Sequence, residues 1–138
     1  MRTSEALNKA ADHIQRRGWR TGSWANDDGG PLCIESAIAV ACGVSIDFLG
    51  MGVDELGASP AVRAINAYLG VTDAARWNDS LFHDRCRELI QTVPQPWTRL
   101  AAIREQARAE GRARVIETLR AAAVIEAAKE SQAAEVLA

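Results

Sequence analysis

From Thr98 to Ala138 the chain contains no proline and a single glycine, Gly111, and is dominated by alanine, arginine and glutamate. These residues are strong helix formers, so the stretch predicts one long C-terminal helix with Gly111 as a candidate break. As one helix it would reach about 60 Å at 1.5 Å per residue. A domain of about 100 residues has a radius of gyration of only about 13 Å, so such a helix is expected to overhang its own domain. The reading divides the chain into a compact helical domain at 1–97 and an extended helical segment at 98–138.

A helix that overhangs its domain calls for a partner, a second copy of the chain included. Leu100, Ile103, Ile116 and Leu119 are its candidate binding residues. They do not form a continuous coiled-coil seam, because Glu110, Arg114 and Glu126 interrupt the heptads. A second half folding back at Gly111 stays open beside the single helix.

The first 97 residues read as helices punctuated by glycine and proline. Leu7, Ala10, Ala11 and Ile14 share one face of a helix over 4–17, with Thr3 or Ser4 to cap it and Gly18 to end it. A second helix opens at Pro31 and runs through Cys42, apolar nearly all round, which marks it as the buried central element. Ser59-Pro60 starts a third, with Val62, Ile65 and Leu69 on a face and Gly70 at its end. A fourth carries Phe82, Cys86, Leu89, Ile90 and Val93, starts with Asp79 or Ser80 as cap, and stops at Pro94 and Pro96. No segment alternates with period 2. The predicted fold is all-α, a small helical bundle with a buried central helix and a long C-terminal helix.

With 48% hydrophobic and 25% charged residues and a net charge of -2, the composition is globular and gives no global reason to expect nucleic acid. No apolar run is long enough to cross a bilayer, and MRTSEALNKAADH lacks the apolar core of a signal peptide. Three cysteines in such a chain are expected to be reduced, in the cytoplasm.

"NDDGGPLC", residues 26–33, is the stretch closest to a chemical motif. A cysteine in the first turn of a helix feels the positive end of the dipole, and Cys33 with His83 as base gives an enzyme alternative, a cysteine-dependent hydrolase or transferase. The plainer reading makes Cys33 a small buried hydrophobe. Glu35 is the one charge between Asp28 and Asp47. It suits a helix N-terminus or an arginine partner, with a chemical role as the alternative. Asn26, Asp27 and Asp28 do not complete a calcium loop, since the twelfth position is Ala37, and no Walker spacing is present. No metal-ligand spacing occurs, and neither a metal nor any other cofactor is expected.

In "RWNDSLFHDR", residues 76–85, Asp79 reads as a helix cap, Asn78 as a turn residue and Trp77 as core. The four tryptophans fall in or beside loops, where they close the bundle ends, and Trp24 is also a candidate interface anchor. Arg104, Arg108 and Arg112 form a modest basic stripe, the basis of a nucleic-acid alternative without any recognised reader motif.

The order of Gly18-Trp19, a glycine turn before a cysteine (Gly30, Cys33), and Trp77-Asn78-Asp79 resembles an uncharacterised family of small actinobacterial and mycobacteriophage proteins. The resemblance covers about residues 4–93 and brings no activity with it. It implies a phage-encoded, host-directed accessory protein. Fourteen arginines against two lysines agree with a GC-rich source. The functional expectation is a non-enzymatic cytoplasmic protein that binds another protein, a host protein among the candidates, and forms a homo-oligomer through its C-terminal helix.

Overall fold

The computed structural model describes residues 1–22, 29–45, 56 and 59–138. It is all-α. The elements are α1 (Thr3–Arg17), α2 (Ile34–Cys42), α3 (Pro60–Leu69), α4 (Ala74–Thr92), a 3-10 turn (Pro96–Thr98) and α5 (Leu100–Leu137). Among the described residues the one extended pairing is an isolated parallel bridge between Trp19 and Leu32.

α1 buries Ala6, Leu7, Ala10, Ala11 and Ile14, the predicted face. Gly18 ends it at φ 96, its N–H donating to the Ile14 carbonyl. Its start is closed differently from the prediction. Thr3 and Ser4 lie inside the helix, and Arg2 at the cap position offers no side-chain bond. Instead the Ser4 N–H and hydroxyl donate to the Glu130 carboxylate, reached from the far part of α5. Those donors hold the Glu130 carboxyl below its usual range.

α2 is the buried central helix, with Ile34, Glu35, Ser36, Ala37, Ile38, Ala39 and Ala41 all inside. It begins at Ile34 rather than Pro31, because Leu32 is held in extended backbone: its N–H donates to Gly18 O, and its carbonyl accepts from Arg20 N–H. Cys33 caps the helix, its sulfur accepting from the Ser36 N–H. α3 follows the prediction closely, with Ser59 accepting from Val62 N–H, Pro60 in the first turn and Gly70 at φ 68.

α4 begins nearly two turns earlier than predicted. Asp73 is its cap, accepting from Ala75 and Arg76 N–H at 3.0 and 3.2 Å, so Asp79 lies within the helix. The cap reading of Asp79 is therefore corrected.

α5 runs unbroken through Gly111. It lies antiparallel to α1, since Arg112, Arg120 and Glu130 bond to Gln15, Asp12 and Ser4 in that order. Its buried residues are Ile103, Ala107, Gly111, Val115, Thr118, Leu119, Ala122 and Ala123, mostly three or four apart. Val115, Leu119, Ala122 and Ala123 join the same core as α1, α2 and α3. The segment after Trp97 is thus part of the bundle down to Ala123, not an appendage to a finished 1–97 domain. Residues 131–138 alone form a wholly exposed end.

Gly111 has a steric reason. A Cβ at this position would lie far inside contact distance of Cζ3 and Cη2 of the buried Trp19 indole. Glycine in a helix interior costs about 0.5–1 kcal/mol relative to alanine. Seating an indole against bare backbone is what the chain gains for that cost.

Candidate functional site

The polar centre of the molecule is Asn78, fully buried on α4. Its Oδ1 accepts from Trp19 Nε1 at 2.7 Å and from Ile34 N–H at 3.0 Å. Its Nδ2 donates to the Arg20 carbonyl at 3.1 Å and to Asp79 Oδ1 at 3.3 Å. Asp79 Oδ1 in turn accepts from Gly22 N–H at 2.9 Å. An asparagine amide has two donors and an acceptor oxygen with two lone pairs, and all four are used. Nearby, Arg17 Nε donates to the Gly30 carbonyl at 2.8 Å.

Gly18, Trp19, Gly30, Cys33, Asn78 and Asp79 are therefore drawn to one locus. The locus ties both ends of the loop after α1 to α4 and sets the N-terminus of α2. Asn78 is a structural hub rather than a turn residue, and Trp77 packs against the core, as expected. The Asn26–Asp28 turn and Trp24 lie outside the described residues.

Cys33 is buried, with its sulfur 3.1 Å from Ser36 Oγ. Burial pushes its thiol up, outweighing the hydrogen bonds from Ser36 that stabilise a thiolate. His83, the proposed base, is exposed on α4 with its ring edge-on to Phe82 at 5.6 Å. Glu35 is buried in the first turn of α2. Burial first and the neighbouring Asp73 carboxylate second raise its carboxyl, against a hydrogen bond from Ala75 N–H. Cys33 and Glu35 thus sit at a packed helix junction, where burial opposes ionisation of both.

The C-terminal candidates separate. Ile103 and Leu119 are buried in the bundle, so they are corrected from partner-binding to core residues, while Leu100 and Ile116 are half-buried. The helix turns these side chains inward because α1 and α4 pack along it. Of the basic stripe, Arg104 is exposed, Arg108 lies 4.9 Å over the Phe82 ring, and Arg112 donates to the Gln15 carbonyl. The stripe is partly spent on internal contacts.

The apolar surface left open sits where the core stripe of α5 ends. Val124 is 71% exposed, Ile125 45%, and Tyr68 on α3 43%. Ala64, Ala67, Tyr68, Ile125, Glu126 and Lys129 line a groove of about 280 Å³ between α3 and α5. Glu126 and Lys129 pair across 3.2 Å at its edge. Among the described residues no cluster of His, Cys, Asp or Glu suits a metal ion, and no helix is long and apolar enough to cross a membrane.

Sequence reasoning missed three residues: Asn78 as hub, Asp73 as cap and Gly111 as a packing site. For Gly111 a signal existed, because one glycine in an alanine-rich helix marks a close approach. Asn78 had none, since its four partners come from residues 44 or more positions away or from a neighbour.

Fold and locus together define an all-α bundle organised around a buried asparagine. The chain belongs to a family of unknown function, DUF6197, whose model matches residues 1–125. That span crosses Trp97 and reaches Ile125, two residues past the last core position of α5. No curated protein and no solved structure matches the chain.

Proposed function

We propose that this protein is a non-enzymatic accessory protein that acts by binding other proteins, with a second copy of itself as the occupant of the exposed face of α5. The observation that carries the reading is the apolar surface left in water beyond the core stripe: Ile125 and Tyr68 at the groove, with Val136 further along the same side of α5. Ile125 and Val136, eleven residues apart, lie on one side of the helix, and an exposed apolar helix face is a docking surface for another helix. A phage-encoded, host-directed and cytoplasmic setting belongs to the same proposal, supported by the resemblance in layout and by the arginine-rich composition.

The cysteine-dependent alternative would need an ionised Cys33, and the nucleic-acid alternative would need Arg108 and Arg112 to leave their present contacts. Sedimentation of the full chain and of Ile125→Glu tests the proposal. The full chain is expected to sediment as a dimer or higher, and the variant, altered at a half-exposed site, as a folded monomer. A full chain that stays monomeric at all concentrations, or a variant that associates unchanged, would overturn it.

A further inference from the structure

Trp97 is 74% exposed, which corrects its expected role in closing the bundle end. Elsewhere, a cleft of about 450 Å³ opens between α1 and the last turn of α2. Lys9, Asp12, His13, Arg16, Val40 and Ala41 line it, and it shares no residue with the groove between α3 and α5. Its volume falls in the range of small-molecule sites.

The two walls differ in chemistry. Lys9, His13 and Arg16 follow one another at spacings of four and three, so they stand side by side on one face of α1. The α2 wall is apolar, made by Val40 and Ala41. The carbonyls of Ala39 and Val40 accept from the N–H groups of Val44 and Gly43 at 2.9 and 3.3 Å, so these acceptors at the end of α2 are already engaged.

The charge balance of the cleft is positive. Among the described residues Asp12 is the one carboxylate that lines it, and Arg120 of α5 meets that carboxylate at 2.9 Å. Lys9 faces Glu5 across 3.8 Å with both side chains about half exposed, a pairing too loose to hold against a bound anion. Arg16 Nη2 donates to His13 Nδ1 at 2.9 Å, which uses one of five guanidinium N–H groups. With Nδ1 accepting, the proton of the neutral imidazole sits on Nε2 and makes the ring a donor too. The lining thus offers three donor side chains, two of them cationic, against a single carboxylate that is already paired.

We propose that this cleft binds a small organic anion, a carboxylate or phosphate head on a short apolar body. The head meets Lys9 and Arg16, and the body lies against Val40 and Ala41. Ammonium and guanidinium groups give a carboxylate or phosphate charge-assisted hydrogen bonds, about twice as strong as neutral ones. A bare inorganic ion would leave the apolar wall in water, and a cation would meet Lys9 and Arg16 with like charge.

The test titrates the full chain with benzoate, phenyl phosphate, inorganic phosphate, phenol and benzylammonium, followed by amide NMR. Benzoate or phenyl phosphate is expected to bind saturably, to shift the amides of residues 9–16 and 40–41, and to bind about tenfold tighter than inorganic phosphate or phenol. The tighter of the two aromatic anions names the head group. Arg16→Gln should weaken that binding about tenfold, and added salt should weaken it too. Arg104→Gln, at an exposed arginine of α5, should leave it unchanged. No saturable binding of either aromatic anion, shifts confined to other parts of the chain, equal binding of benzylammonium or inorganic phosphate, or unaltered binding by Arg16→Gln would each overturn the proposal. Should Arg16→Gln fail to fold, Lys9→Gln at an exposed site decides in the same way. The self-association reading rests on Ile125 and stands whichever way this falls.

Discussion

The indole of Trp19 occupies the space a side chain at residue 111 would need, so Gly111 and Trp19 form one packing unit between the loop after α1 and the middle of α5. Replacing Gly111 with alanine, which normally favours a helix, should here destabilise by about 1–3 kcal/mol, because the Trp19 ring must shift. Thermal unfolding of Gly111→Ala measures it, and a rise in midpoint would contradict the packing. The losses from Trp19→Phe and Gly111→Ala should be less than additive, because a smaller ring leaves room for the methyl.

Asn78 should tolerate neither aspartate nor alanine. Aspartate keeps the bonds from Trp19 and Ile34, but sets a second oxygen against the Arg20 carbonyl and the Asp79 carboxylate. Alanine strands the buried Trp19 and Ile34 donors. Each unmet buried group costs about 1–3 kcal/mol, so both variants should lose about 3 kcal/mol or more in urea unfolding. A loss below about 1 kcal/mol would mean that water replaces the amide.

Glu35 gives stability a pH dependence of defined sign. Its carboxyl is raised in the folded protein by burial and then by Asp73. The stability it contributes is full below its ordinary unfolded value and is lost as pH rises through the higher folded value. Glu35→Gln should therefore match the wild type in acid, exceed it at neutral pH, and flatten the pH profile. Lower stability of the variant at neutral pH would show that an ionised Glu35 is useful to the fold.

The three thiols should label in the order of their exposure. Cys42 is exposed at the end of α2, Cys86 is half-buried, and Cys33 is buried. A thiol reagent on the native protein should modify Cys42 first and Cys33 only after unfolding. Fast native modification of Cys33 would revive its reading as a nucleophile.

Removing residues after Trp97 should unfold the chain, because Val115, Leu119, Ala122 and Ala123 leave the core with α5. Removing those after Glu130 should not, since residues 131–138 are exposed. Circular dichroism of both truncations checks this, and a helical, cooperative 1–97 fragment would restore the two-part division.

What the sequence made legible was local. The apolar faces of α1 and α3, the Ser59-Pro60 start and the Gly18 and Gly70 ends all lie within a few residues of their causes. Illegible features depend on partners distant in sequence. Pro31 has the chemistry of a helix start, yet the pairing of Leu32 with Gly18 and Arg20 moves that start to Ile34. Leu119 reads equally as interface or core until α1 and α3 are placed beside α5. Trp97 was indistinguishable by composition from the buried Trp19.

The bond from Ser4 to Glu130 spans 126 positions of sequence, and it has a consequence for synthesis on the ribosome. α1 emerges well before α5, the helix that lies along it. Until then Leu7, Ala10 and Ile14 have only α2 and α3 to cover them, and the nascent chain carries an apolar seam that α5 has yet to close. Contacts this distant in sequence form slowly and prolong exposure to aggregation. A chain stalled or ended before α5 should accordingly be a substrate for chaperones and proteases.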